Sequence, residues 1–158
     1  MIEIYKTENF TVHPHPKPFV SREEGGHLRV YSLDESIQDC TMLTPRQAIE
    51  YIRLYSMMGE ALYKGMNRRG IPVLKINYQE MGNWAWKQNK KPVLHMHVFG
   101  RVLGVKYQPL PESVYLPDRA TGFYDPFIPL NDEDIKVIKE EISLLEKSGR
   151  YEMKKWGL

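Results

Sequence analysis

The chain has 158 residues, 42% hydrophobic and 27% charged, with a net charge of +2 and a single cysteine. That is enough chain for one domain with its own core. It excludes an internal disulfide framework and a broad, strongly basic surface for nucleic acid. The lone thiol, Cys40, suits a reducing compartment. The opening residues, MIEIYKTENF, carry charge too early for a signal peptide, and no apolar run is long enough to span a membrane. The expected location is the cytoplasm, and neither nucleic acid nor a membrane is an expected partner.

In chain order, residues 2–5 and 10–12 read as short strands, stopped by the prolines of HPHPKP at 13–18. Gly25 and Gly26 mark a turn, and residues 27–31 (HLRVY) alternate as a half-buried strand. Thr44 and Pro45 start a helix, a capping hydroxyl followed by proline in the first turn. Ile49, Ile52, Tyr55, Met58, Leu62 and Met66 then recur at helical spacing, and Gly70 is a natural stop. Gly59 and Gly65 inside this helix suggest close packing by another backbone.

Residues 73–77 (VLKIN) form the next expected strand, followed by a polar connection with Trp84 and Trp86. A further strand is expected from about 92 to 102. An irregular, proline-rich stretch leads to a last helix, capped by Asn131 and ended by Gly149, with Ile135, Ile138, Ile142 and Leu145 as its buried stripe. Strands and helices do not alternate, so the pattern predicts an α+β fold: an antiparallel sheet of about five strands with a long helix packed on it. The chain is read as a single domain over 1–158, with a core at 2–102 and an arm plus C-terminal helix at 103–158.

The chemistry gathers in PVLHMHVFGR, residues 92–101. His95 and His97 are two apart on a strand, so both imidazoles lie on one face. Three readings fit the spacing. A metal site would need one or two further ligands, and the other histidines, His13, His15 and His27, lie far back in sequence. A nucleophilic imidazole needs only an acceptor on its other nitrogen and a neighbour to stabilise phosphate charge. The third reading is two histidines on a solvated face.

The context resembles the histidine triad family. HVFGR at 97–101 resembles the closing segment of the family's signature strand, which places His95 at the middle, nucleophilic histidine and His97 at the third. A shifted register would make His97 the nucleophile but lose the match at Arg101. GHLRVY at 26–31 resembles the family's Gly-His strand, and MLTPR at 42–46 the start of its long helix. HPKP at 15–18 falls at its ribose-binding segment, and LKIN at 74–77 resembles the strand that ends in Asn. The resemblance covers residues 2–102. It departs at the first histidine position, occupied by Val93, and where Asn89 and Lys90 replace the usual Gln and Ser or Thr.

The resemblance implies a nucleoside-phosphate hydrolase or nucleotidyl transferase, acting on a dinucleoside polyphosphate, a phosphoramidate or a related ester. His95 would be the nucleophile and His97 its helper. Asn89, Gln88, Lys90, Asn77, His15 and Arg101 would bind substrate. No cofactor or metal is expected, and a homodimer is implied through the long helix and the strand near Asn77. The alternative is a non-catalytic nucleotide-binding or partner-binding protein of the same fold.

Overall fold

A computed structural model describes residues 2–158. Five strands form one antiparallel sheet: β1 (Tyr5–Lys6), β2 (Phe10–Pro14), β3 (His27–Ser32), β4 (Lys75–Glu80) and β5 (His95–Arg101), in the order β1-β2-β3-β5-β4. The α+β architecture is the one the pattern predicts. The helices are α1 (Pro45–Arg68) and α2 (Asp132–Lys147).

The period-two alternation divides the sheet into two chemically different faces. Phe10, Val12, Leu28, Val30, Met96 and Val98 point to one side and are buried with Leu54, Met58 and Leu62 of α1. His27, Arg29, Tyr31, His95, His97 and Phe99 take the other side, since β3 and β5 pair Tyr31 with His95, Arg29 with His97 and His27 with Phe99. The histidine face is covered by the segment between β5 and α2. A second apolar cluster of Phe19, Val20, Phe99, Val114, Tyr124 and Phe127 lies there.

Both long helices begin with a capping box. The Thr44 hydroxyl accepts from the Gln47 N–H, and Asn131 accepts from the Asp134 N–H. Ile135, Ile138, Ile142 and Leu145 are buried at the α1–α2 contact. A Cβ on Gly65 would press into Ile138, so this glycine admits α2, as its place in α1 suggests. At Gly59 the close neighbour is the Tyr78 side chain and not a backbone.

The register of α1 differs from expectation. Ile49 and Ile52 are exposed, and the buried face runs through Tyr51, Leu54, Met58 and Leu62. Near the start of α1, Tyr51 stacks on Phe10 at 4.9 Å, which turns Ile49 and Ile52 outward. The early strand is displaced as well, to Tyr5–Lys6, and β4 runs three residues beyond its expected end because all of Lys75–Glu80 pairs with β5. The polar connection contains a 3-10 helix, Asn83–Gln88.

Candidate active site

A cavity of about 600 Å³ opens on the histidine face. Its floor is His95, His97, Arg29 and Tyr31 from the sheet. His15 and Phe19 come from the loop after β2, Trp84 from the 3-10 helix, and Leu116 and Arg119 from the arm. Its lining contains three cations, Lys17, Arg29 and Arg119, and no carboxylate.

Hydrogen bonds fix the protonation of each ring. His95 Nδ1 lies 2.7 Å from the Val93 carbonyl. A carbonyl only accepts, so Nδ1 carries the proton and Nε2 carries the lone pair. A second chain starts at the backbone: the Phe19 N–H donates to His27 Nδ1 at 3.1 Å. His27 must then hold its proton on Nε2, 2.8 Å from His97 Nδ1, which accepts it. His97 is left with an Nε2–H donor. His15 Nδ1 accepts from the Lys17 N–H at 3.0 Å, so its neutral form also offers an Nε2–H. The cavity therefore combines one nucleophilic nitrogen with two imidazole donors.

Burial keeps the rings neutral. It lowers His97 and His15 to about 2, helped by Arg29, Arg119 and the neighbouring imidazoles. His27, fully enclosed, is pushed well below its usual value for the same reason. His95 is also lowered, mainly by burial and then by Arg29, against the opposing pull of the Val93 carbonyl and Glu80. The electrostatic cost of these cations is a force for recruiting an anion.

The other residues singled out from sequence have different surroundings. Gln88, Asn89 and Lys90 are exposed and outside the cavity lining. Asn89 takes a left-handed conformation (φ 54°) at the end of the 3-10 helix, and the wall at this point is formed by Asn83, Trp84 and Ala85 instead. Asn77 and Arg101 also lie outside it. Arg101 is fully buried, donating to Asn77 Oδ1 at 2.5 Å and to the carbonyls of Gln108, Pro109 and Glu112. It fastens the arm to the end of β5. Val93 lines the cavity, but the hydrogen bond to His95 comes from its main chain.

Arg29, Tyr31 and Arg119 escaped the sequence reading. Arg29 and Tyr31 share the parity of His27 on β3, a signal that was available. Arg119 sits in an aperiodic segment, and no local pattern marks it. Among the described residues, no group of three or more His, Cys, Asp or Glu is arranged to hold a metal ion. None of their helices is long and apolar enough to cross a membrane.

No family model matches the chain, and no curated protein matches it either. Solved structures do. A hypothetical histidine triad nucleotide-binding protein from Sulfolobus tokodaii is similar at a TM-score of 0.60 and 14% identity, covering 95% of this chain and 88% of that one. A zinc-bound histidine triad family protein from Mycobacterium smegmatis is similar at 0.59 and 19%, covering 92% and 86%. A Hit-like protein involved in cell-cycle regulation from Bartonella henselae, solved with an unknown ligand, is similar at 0.57 and 16%, covering 89% and 85%. Such coverage exceeds what residues 2–102 could supply, so the likeness continues into the arm and α2. With its five-stranded antiparallel sheet, long α1 and matching neighbours, the chain has the fold of the histidine triad proteins.

Proposed function

We propose that the protein is a nucleoside-phosphate hydrolase or nucleotidyl transferase that works through a covalent nucleotidyl-His95. The observation that carries this reading is the hydrogen bond between His95 Nδ1 and the Val93 carbonyl, which leaves the Nε2 lone pair for phosphorus. Nε2 attacks, the bond from phosphorus to the leaving group breaks, and water or another acceptor then displaces His95. The Nε2–H groups of His97 and His15 donate to the non-bridging oxygens, and Arg29 and Lys17 balance their charge. Phe19 and Trp84, 5.4 Å apart, line one wall of the cavity, with the Arg119 guanidinium packed against both rings. On this reading Val93 stands where the family has its first histidine, and its carbonyl does the orienting. Gln88, Asn89, Lys90, Asn77 and Arg101 take no direct part.

The test is mass spectrometry of protein incubated with nucleoside polyphosphates and phosphoramidates at mildly acidic pH. The expected product is a nucleotidyl adduct on His95, absent from His95→Ala. Hydrolysis by His95→Ala at the wild-type rate would overturn the mechanism.

One observation favours a second reading, a nucleotide-binding module without turnover: no imidazole stands at position 93 to assist the leaving group. It predicts that nucleoside monophosphates raise the melting temperature while no substrate is consumed. A homodimer is part of the proposal. Exposed Ile49 and Ile52 on α1, with Leu74 and Tyr78 at the β4 edge of the sheet, support it. Light scattering should give twice the chain mass, and Ile52→Glu should halve it.

A further inference from the structure

The arm brings one cation to the cavity, and its position relative to His95 is informative. A row of rings crosses the site. Tyr31 stacks on His95 at 4.9 Å, His95 is 4.7 Å from His97, and His97 is 5.5 Å from Phe19. The Arg119 guanidinium lies 4.4 Å over Phe19, with Tyr124 at 5.0 Å. Along this row His97 and Phe19 separate His95 from Arg119. Among the described residues, the one hydrogen bond of the Arg119 guanidinium is from Nη2 to the Lys17 carbonyl, at 2.6 Å. A guanidinium has five N–H donors, so most of its capacity remains for a ligand. The aromatic rings hold its plane, and no carboxylate lines the cavity to neutralise it.

We propose that Arg119 is a specificity-determining residue that binds a second phosphate, joined to the one His95 attacks, so that the site prefers nucleoside polyphosphate esters over phosphoramidates. This rests on the nucleotidyl-transfer reading above. In-line displacement sends the leaving group away from the nucleophile and, on this reading, toward Arg119. With a polyphosphate, the Nε2–P bond forms as the bridging P–O bond breaks. The electron pair goes to the departing phosphate oxygen, which leaves as an anion beside the guanidinium and takes no proton from the protein. A phosphoramidate must instead break P–N, and the departing amine has to gain a proton. The imidazoles at hand, His15 and His97, are neutral donors and weak acids in this setting.

Two measurements test the assignment. In the first, ADP and AMP are titrated calorimetrically into His95→Ala protein. ADP should bind roughly tenfold to a hundredfold more tightly than AMP, the range expected for a charge-assisted pair. Adding Arg119→Ala should bring that ratio to within about threefold of one, and Arg119→Lys should keep part of it. In the second, Arg119→Ala should lose at least about tenfold more kcat/KM on a dinucleoside polyphosphate than on an AMP amidate, against an unchanged melting curve. An ADP-to-AMP ratio untouched by Arg119→Ala, or equal kinetic losses on both substrates, would overturn the proposal, because Arg119 would then hold the shared nucleotide or only the fold. If no substrate turns over and no His95 adduct forms, the catalytic reading fails, while the ADP-to-AMP ratio still decides the role of Arg119.

Discussion

The two faces of the sheet are held in place by different physics. Under α1 the cover is apolar: Leu54, Met57, Met58, Leu62 and Met66 are fully buried against β2, β3 and β5. Over the histidines the cover is an arm with little regular structure, whose main chain is held in part by side chains. Arg101 takes three of its carbonyls, the Glu24 carboxylate takes the Tyr107 and Gln108 N–H groups, and the Gln108 amide bonds Phe19 and Tyr115. Hydrophobic burial spreads over many contacts and tolerates partial loss. A polar latch concentrates the cost of ordering an aperiodic segment in a few groups, each expensive to leave unpaired.

That contrast can be broken from either side. The largest effect expected is for Arg101→Ala, which orphans buried acceptors and should cost on the order of 3–5 kcal/mol. Limited proteolysis should then cut within 103–130 before α1 yields; cleavage spread evenly along the chain would show that the arm is not a separate latch. Leu62→Ala, on the other face, should cost about 2–5 kcal/mol. It should do so in one cooperative transition, and an arm released ahead of the core in this variant would contradict the division.

The histidine face should also respond to acid. His15 and His97 have pKa values lowered from 6.5 to about 2, so the folded protein binds fewer protons than the unfolded chain throughout that window. Their contribution to stability is complete above pH 6.5 and is lost as pH falls below it, by up to about 1.4 kcal/mol per pH unit for each ring. Denaturant melts between pH 7 and pH 5 measure this; a flat profile would mean the rings are less enclosed than described. Inorganic phosphate should flatten the profile if the site takes anions. The smallest effect concerns the ion pair between Lys87 and Asp118, which joins the 3-10 helix to the arm with both side chains about half exposed. Lys87→Ala should cost less than about 0.5 kcal/mol. A larger loss would make this pair part of the latch.

The regular elements were legible because their signals are local. Thr44-Pro45 and Asn131 fixed two helix starts, and the spacing of His95 and His97 put them on one face. Ile49 and Ile52 misled because both have helical spacing, while the true buried face was chosen by Tyr51 stacking on Phe10, a contact made across the fold. Gln88, Asn89 and Lys90 were sought as ligands by position along the chain, but the 3-10 helix leaves them exposed and outside the cavity. Arg101 is expected from sequence to bind substrate, since nothing local reveals a guanidinium about to be enclosed by an arm that returns over it. The arm carries neither helical nor strand periodicity, so Arg119 could not be located before folding.

The relay from Phe19 through His27 to His97 has a direction, and that direction is set by a peptide group. A main-chain amide cannot turn round to accept, so each ring along the relay inherits its orientation, and a proton, not a lone pair, arrives at the cavity. Had the relay begun at a hydroxyl, which gives or takes equally well, His97 could alternate between the two tautomers and would no longer present a fixed donor to the cavity. The direction of the relay is thus written in the backbone, at the amide of residue 19, and not in any side chain that titrates.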